Sequence, residues 1–294
     1  MLKKLLFVVN PCAGQKKAAR NLSGILEVFC AGGYMPTVMM TAKAGHATEI
    51  AREYAAGFDL VACAGGDGTL NEVITGILEA GAKTPISYLP CGTTNDLGAT
   101  LGLNRDLIKA AGDAVDGQSR FLDIGRFNGR HFVYTASFGA FTKASYATPQ
   151  AMKNVLGHLA YVLEGMKELW QIKPVCARIE TDAGAFEGEY IFGSITNSTS
   201  LAGILTIDKN QVNLDDGLFE MMLVEKPKNA IECSKLLSQI AQKRFDDKLR
   251  LHKISHAEFR TDEPIRWTLD GEQSDKTDNF IIDNIKNAIE FRIP

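Results

Sequence analysis

The stretch AGGDGTLNEV, Ala64–Val73, places three glycines and an aspartate between a strand-like run and a helix-like run. The run DLVACAGG is short and apolar, as in a buried strand, and the residues after it repeat at helical spacing: Leu70, Val73, Ile74, Ile77 and Leu78. A strand that turns through glycines into a helix presents backbone N–H groups at the helix N-terminus, which favour anions. The stretch lacks the ending of a Walker loop and does not match GxGxxG. The alternative is a tight turn capped by Asp67 or Thr69.

Two further loops of small residues follow other predicted strands. The loop in VVNPCAG follows the first strand, and the loop in PCGTTND follows the fourth. Because the carboxyl ends of parallel strands meet at one edge of a sheet, we expect these loops to lie beside the glycine stretch. Three phosphate-friendly loops at one edge predict a nucleotide site.

The first part of the chain alternates strand and helix signals. We predict strands at LLFVVN, 36–41, DLVACAGG and PISYLPCG. Helices are predicted between them from apolar residues at helical spacing, one at Leu22, Ile25, Leu26 and Phe29, and another at Ala47, Ile50, Ala51 and Tyr54. This alternation is typical of a parallel sheet with right-handed crossovers. We therefore predict an α/β nucleotide-binding domain over residues 1–122, completed by a returning last strand at about 284–294.

The pattern becomes β-rich over residues 123–283, for which we predict a β-sandwich domain. Asn128-Gly129 between two strand-like runs indicates a type I′ hairpin. We predict a second hairpin in VCARIETDAGAFEGEYIFGSIT, a helix at about 150–171, and a helix that begins at Pro227 and ends at about 245.

Composition restricts the class of protein. The chain has 294 residues, 45% of them hydrophobic and 23% charged, with a formal net charge of −3, as in a soluble globular protein without a nucleic-acid-binding face. The six cysteines form no CxxC pair, which suits a reducing cytoplasm. No apolar run approaches the ~20 residues of a membrane span. A membrane substrate would therefore be reached from the water side.

NPCAG, GGDGTLNEV and GTTNDL, in this order, resemble the diacylglycerol-kinase catalytic domain, closest to the bacterial soluble lipid kinases that are related to sphingosine kinases. The resemblance continues through LDIGRFNGRHFVYTASFG, NLDDGLFEMMLV and LDGEQ, so it spans nearly the whole chain. GGDGT alone is shared with NAD kinases. The resemblance implies a two-domain, ATP-dependent and Mg²⁺-dependent lipid kinase that binds ATP in the cleft between its domains.

The resemblance also implies which residues line the nucleotide: Asn10, Pro11, Cys12, Ala13, Gly14, Thr41, Gly66, Asp67, Gly68, Thr69, Leu70, Asn71, Glu72 and Thr93. The chain departs from the family pattern at Ala13, where serine is frequent, and at Gln15, where a basic residue is common. Lys16 or Lys17 could replace that basic residue.

Phosphoryl transfer to an alcohol needs an acceptor for the hydroxyl proton. In PIRWTLDGEQ, the residues Ile265, Trp267 and Leu269 alternate inward, which places Asp270 at a strand end beside Gly271. Asp-Gly alone is ordinary hairpin chemistry. The resemblance implies that Asp270 is the general base and that Glu272 supports it.

The resemblance gives roles to further acids. It implies a structural magnesium at NLDDGLF, bound by the Asp216 carboxylate and the carbonyls of Asn213 and Leu218; oxygen ligands suit Mg²⁺. Asp123 is expected in a charge network with a basic partner at the domain junction. Asp67 would repel bare phosphate, so we expect it to orient Mg²⁺–ATP rather than to accept the proton.

The leading hypothesis is a kinase that phosphorylates diacylglycerol, located in the cytoplasm and peripherally at the inner face of the membrane. The expected partners are ATP and a membrane lipid, without nucleic acid; a homodimer is left open. One alternative is an NAD kinase-like enzyme, and another is a noncatalytic nucleotide- or lipid-binding regulator on the same fold. The scattered apolar residues of a lipid pocket do not select one lipid.

Overall fold

The computed structural model describes residues 2–93, 95–139, 172–201, 205–206, 212–242 and 249–294. These residues form two compact units. The first unit comprises residues Met1–Ile124, Leu214–Gly217 and Ile285–Pro294, and the second comprises Gly125–Asn213 and Leu218–Asn284. The helix that the sequence predicts at about 150–171 lies outside the described residues.

The first unit is an α/β structure with a parallel sheet. Its strands are β1 (Lys3–Val9), β2 (Tyr34–Met40), β3 (Leu60–Gly65) and β4 (Ile86–Pro90), hydrogen-bonded in the order β4-β3-β1-β2. Its helices are α1 (Lys17–Arg20), α2 (Leu22–Ala31), α3 (His46–Tyr54), α4 (Asp67–Glu79), α5 (Asp96–Thr100) and α6 (Leu107–Asp116). The predicted α/β class is confirmed.

The central strands are buried because short apolar runs occupy them. All residues of β3 are buried, as are residues 5–9 of β1. The helices cover the sheet through the apolar faces that their spacing predicts. Ile25 and Phe29 of α2 are fully buried, and the Phe29 ring meets the Phe7 ring edge-on at 5.3 Å between centroids.

The second unit is rich in antiparallel strands, as predicted. They are β5 (Gln118–Phe127, which starts in the first unit), β6 (Arg130–Phe132), β7 (Thr135–Gly139), β8 (Val175–Thr181), β9 (Gly184–Thr196), β10 (Ser200–Leu201), β11 (Leu205–Thr206), β12 (Phe219–Glu225), β13 (Leu249–Ile254), β14 (His256–Ile265), β15 (Thr268–Leu269), β16 (Glu272–Gln273) and β17 (Thr277–Ile293). One path of strand pairing runs β16-β15-β7-β9-β8-β14-β17, and β12 joins β9 to β13.

The last strand serves both units. Residues of β17 from Thr277 to Asp283 pair antiparallel with β14 in the second unit. Residues 285–294 belong to the first unit, where Phe291 pairs in parallel with Ile86 of β4.

Both hairpins that the turn residues predict are present. Asn128 and Gly129 have φ angles of 46° and 86°, as a type I′ turn between β5 and β6 requires. The strands β8 and β9 form the second hairpin.

The helix near Pro227 starts later than predicted. It is α7 (Ala230–Gln242), and the Asn229 side chain accepts a hydrogen bond from the Glu232 N–H at 2.9 Å, as an N-cap does. Pro227 therefore precedes the cap instead of occupying the first helical position. No helix among the described residues is long and apolar enough to cross a membrane.

The core of the second unit is built around Trp267, which is 1% exposed. Four phenylalanine rings lie 4.8 to 5.6 Å from the indole, measured between centroids: Phe127, Phe138, Phe259 and Phe280. Buried aromatic clusters of this kind supply much of the stability of a β-rich unit.

Replacing Trp267 by alanine should therefore destabilise the second unit, because it empties the centre of this cluster. We expect a loss of about 3–5 kcal/mol in the free energy of unfolding, measured by urea denaturation. Phe121→Ala is the control, since the Phe121 side chain is 48% exposed. Equal losses for the two variants would contradict this description of the core.

Candidate active site

Three loops meet at the carboxyl ends of the parallel strands in the first unit. The Asn10 side chain after β1 donates a hydrogen bond to the Thr69 hydroxyl of α4 at 3.0 Å. The Cys91 N–H after β4 donates to the Gly65 carbonyl at 2.7 Å. The loops NPCAG, GGDGT and PCGTTND are thus joined by direct contacts.

Glycines make this close approach of the loops possible. A Cβ atom on Gly92 would lie 2.9 Å from the Gly66 Cα, and one on Gly14 would overlap the carbonyl oxygen of Cys91. Neither backbone neighbour can move aside easily. Gly14 and Gly92 are therefore required by contacts between loops, and they also leave the backbone open to a ligand.

The loop after β1 continues into a left-handed turn. Gly14, Gln15 and Lys16 have φ angles of 53°, 57° and 66°. A left-handed conformation costs roughly 1–2 kcal/mol for each non-glycine residue. Such strain at Gln15 and Lys16 is typical of functional loops. Lys16 is exposed here, whereas the Lys17 ammonium donates to the Arg105 carbonyl at 2.6 Å.

Asn95 organises the loop after β4, a role that the sequence reasoning missed. Its side-chain oxygen accepts hydrogen bonds from the Gly92 N–H at 2.7 Å and the Tyr88 hydroxyl at 3.1 Å. Its amide donates to the Gly92 carbonyl at 2.7 Å. Asn95 is buried and has φ at 51° just before α5. The residue type gives a weak sequence signal for this conformation, because asparagine is common in left-handed turns.

Asp67 lies at the start of α4, where the sequence predicts it. Its Oδ2 accepts a hydrogen bond from the Asp96 N–H at 3.2 Å. Two carboxyl-bearing residues thus begin α4 and α5 at the same edge. The N-termini of the helices favour these negative charges.

The remaining predicted nucleotide residues lie on or beside this edge. Thr41 follows β2 and donates its N–H to the Val9 carbonyl at 2.9 Å; Thr93 is exposed in the loop after β4. The others are Pro11, Cys12 and Ala13 after β1, and Gly68, Leu70, Asn71 and Glu72 in α4. The Glu72 carboxylate differs from the rest, since it binds the N–H groups of Gly45 and Ala47.

Cys91 also lies in the loop after β4. Burial raises the pKa of its thiol to about 11, so the thiol stays protonated at neutral pH. A protonated thiol is a poor nucleophile. Cys91 therefore serves the packing of the loop.

Asp270 occupies a strained turn in the second unit. It lies between β15 and β16 with φ at 47°, and Gly271 follows with φ at 90°. The backbone of the turn is held by the Asp270 N–H, which donates to the Thr135 carbonyl at 2.9 Å. The structure thus confines the backbone of this aspartate.

Three backbone N–H groups hold the Asp270 carboxylate. Oδ2 accepts from Val133 at 2.6 Å, and Oδ1 accepts from Tyr134 and Thr135 at 3.0 Å each. The side chain is 6% exposed. Three hydrogen bonds from backbone amides fix the orientation of this carboxylate.

Glu272, the predicted supporting residue, is placed differently. Its carboxylate is largely exposed and lies 3.9 Å from the Arg130 guanidinium. A pair at this distance on the surface contributes little free energy. Support of Asp270 by Glu272 stays a prediction.

Asp123 is completely buried in the first unit and holds two backbone turns. Its Oδ2 accepts from the Gly217 N–H at 2.6 Å and its Oδ1 from the Asn287 N–H at 2.7 Å, while its own N–H donates to the Leu214 carbonyl at 2.8 Å. Through these contacts, Asp123 holds the turn that carries Asp216 in place. The predicted catalytic role and charge network of Asp123 stay predictions.

The predicted metal ligands lie in that turn and beside it. Asp216 is half-buried, Asn213 is exposed, and Leu218 directly precedes β12. One carboxylate and neighbouring carbonyl oxygens, completed by water molecules, are ligands that suit Mg²⁺. Within the described part of the chain, no three His, Cys, Asp or Glu side chains cluster as a metal site.

Asp123→Asn should destabilise the first unit. One carboxylate oxygen is replaced by an NH₂ group, which cannot accept the hydrogen bond from the backbone N–H that faces it. We expect a loss of about 1–3 kcal/mol in the free energy of unfolding, measured by thermal or urea denaturation. Asp116→Asn, at an exposed residue of α6, should change little. Identical stability of both variants would exclude the anchoring role.

The chain is similar to known proteins over most of its length. The model of the diacylglycerol kinase catalytic domain matches residues 4–127. The diacylglycerol kinase of Bacillus subtilis strain 168 is 33% identical over 274 residues, which cover 92% of this chain and 90% of the relative. That of Staphylococcus saprophyticus is 34% identical over 301 residues, covering 100% of this chain and 96% of the relative.

Solved structures give the same result. A crystal structure from Bacillus anthracis str. Sterne, of a protein assigned as a diacylglycerol kinase, has a TM-score of 0.82 at 25% sequence identity, covering 99% of this chain and 95% of that chain. The glycine loops, the Asp-Gly turn and the similarity along the chain lead to one conclusion: the chain belongs to the bacterial diacylglycerol kinase family.

Proposed function

We propose that the chain is an ATP-dependent lipid kinase that transfers the γ-phosphate of ATP to a lipid hydroxyl, with diacylglycerol as the expected acceptor. The observation that carries the proposal is the meeting of three glycine loops at one edge of the parallel sheet. The acceptor is inferred from relatives that are named diacylglycerol kinases. The enzyme would act on its lipid at the membrane surface, from the cytoplasmic side.

The nucleotide would bind along the loop edge of the first unit. The first turn of α4 directs backbone N–H groups out of the helix end, where phosphate oxygens can accept them. The residues proposed to line ATP are Asn10 to Gly14, Thr41, Gly66 to Asn71, and Thr93. The exposed Lys16, at the end of the strained turn, offers a positive charge to the phosphates.

Magnesium would enter with ATP and neutralise its phosphate charge during transfer. Asp67 is the acid proposed to orient the Mg²⁺–ATP complex, because it lies among the glycines that would receive the phosphates. A second, structural Mg²⁺ is proposed at the turn of Asn213, Asp216 and Leu218. The oxygen donors of that turn fit the ion.

Asp270 is proposed to accept the proton of the lipid hydroxyl. The hydroxyl oxygen would bond to the γ-phosphorus as the bond from phosphorus to the β-phosphate oxygen breaks, releasing ADP and the phosphorylated lipid. The loose transition state of phosphoryl transfer needs a positioned acceptor more than a strong base. The three amide donors meet this need, since they fix the orientation of the carboxylate.

The proposal is tested by following transfer of labelled γ-phosphate from ATP to a panel of lipids in mixed micelles. The panel contains diacylglycerol, phosphatidylglycerol, a sphingoid base and a polyprenol, with NAD as a soluble acceptor. We expect magnesium-dependent phosphorylation of a lipid, and of diacylglycerol most rapidly. Phosphorylation of NAD alone would support the NAD kinase alternative, and ATP binding without any transfer would support a regulator.

The role of Asp270 is tested by Asp270→Asn, which keeps an acceptor for two of the N–H groups but removes the negative charge. We expect kcat to fall at least about 100-fold, as for loss of a general base. The affinity for ATP should stay within about twofold of the wild type.

Asp275→Asn is the matched control, because Asp275 is an exposed acid in the same segment. It should keep wild-type activity, and thermal melting should show that both variants are folded. Near-normal turnover of a folded Asp270→Asn protein would overturn the assignment of the base.

A further inference from the structure

The Glu72 side chain of α4 makes its contacts with α3 and the loop before it. Its Oε1 accepts a hydrogen bond from the Gly45 N–H at 2.8 Å, and its Oε2 accepts from the Ala47 N–H at 3.1 Å. The Glu72 carbonyl accepts from the Thr48 hydroxyl at 3.0 Å. Glu72 thus caps the N-terminus of α3 from a neighbouring helix.

The face of α4 that carries Glu72 is built for this contact. Gly76 lies one turn further along, and a Cβ there would overlap the Thr48 carbonyl and lie 2.8 Å from the Ala51 Cβ. Glu79, at the end of the same face, pairs with Arg52 at 3.0 Å. The small residue lets the two helices approach closely, so that the Glu72 carboxylate reaches the first turn of α3.

The contacts of Glu72 determine where the loop from Thr41 to Gly45 lies. One end of the loop is held by β1, since the Thr41 N–H donates to the Val9 carbonyl at 2.9 Å. Its middle is held by His46, whose Nδ1 accepts from the Ala42 N–H at 3.0 Å. Glu72 fixes its other end at Gly45, where the backbone is left-handed with φ at 79°.

We propose that Glu72 is a positioning residue, which places the Thr41 loop at the nucleotide edge and does not itself contact the nucleotide. The proposal rests on the proposed ATP site for its functional consequence. Both oxygens of the carboxylate already accept backbone N–H groups. A side chain that turned toward ATP would leave these groups at the start of α3 without their acceptors, which costs free energy.

Glutamate suits this task better than glutamine. The N-terminus of a helix carries partial positive charge, so an ionised carboxylate is favoured there. A carboxylate accepts on both oxygens, whereas an amide accepts on one and donates from the other. Glu72→Gln should therefore keep one of the two bonds and release the other, without a change in side-chain size.

The first test measures amide hydrogen exchange in the nucleotide-free protein. Glu72→Gln should raise the exchange rate of at least one of the Gly45 and Ala47 amides about 10-fold or more, because one of the two bonds to the side chain is lost. Glu79→Gln is the matched control: it changes a glutamate on the same helix face, which contacts Arg52 instead of the loop. Unchanged exchange at Gly45 and Ala47 in Glu72→Gln would overturn the positioning role.

The second test separates nucleotide binding from phosphoryl transfer. Glu72→Gln should raise KM for ATP about 5-fold or more while kcat stays within about twofold, since the loop affects binding and not the acceptor. Gly45→Ala should likewise raise KM for ATP and leave kcat nearly unchanged. An added methyl there meets no atom within 4 Å, so it acts only by disfavouring the left-handed backbone.

The outcomes distinguish this inference from the proposed function. A KM for ATP that stays unchanged in Glu72→Gln, although the loop exchanges faster, would overturn the link between Glu72 and the nucleotide. A defect in Glu72→Gln that Gly45→Ala does not share would indicate direct contact with ATP. A wild-type protein that neither binds nor uses ATP would overturn the proposed function, while the exchange test would still decide the role of Glu72 in the loop.

Discussion

The close approach of backbones at the carboxyl ends of the parallel strands is the constraint on which the candidate site depends. Gly66 and Gly92 face each other at a separation that excludes a Cβ on Gly92, and Gly14 lies against the Cys91 carbonyl. Side chains then hold the loops together, as between Asn10 and Thr69. The result is an edge with little side-chain bulk and with a helix N-terminus directed outward, which is what a phosphate chain needs.

Three acids of this protein hold backbone N–H groups in place. Asp123 and Glu72 each accept two N–H groups, and Asp270 accepts three. In each case the carboxylate holds backbone N–H groups of a loop, a turn or the end of a regular element. Asp270 differs in its surroundings, because it lies in a strained Asp-Gly turn. Strain that the neighbouring structure maintains is characteristic of functional positions.

Local patterns predicted several elements of the fold, although not the helices α5 and α6. The spacing of Ile25 and Phe29 predicted a helix face, and Asn128-Gly129 predicted a type I′ hairpin, because both signals act within a few residues. The start of α7 was misplaced, since the Asn229 cap competes with Pro227 as a start signal. The partners of Asp270 were out of reach of such reasoning: Val133, Tyr134 and Thr135 are more than 130 positions away in the sequence. The left-handed turn at Gln15 and Lys16 has no local signal, because those residue types seldom adopt it.

The central claim is that the three loops of the first unit form the ATP site. Amide hydrogen exchange with and without a non-hydrolysable ATP analogue and Mg²⁺ tests it most directly. The account predicts slower exchange at Asn10–Gly14, at Gly66–Asn71 and at Thr93 when the analogue is bound, with the strands of the second unit far from Asp270 unchanged. Binding of the analogue without protection of these loops, or with protection confined to other parts of the chain, would contradict the account.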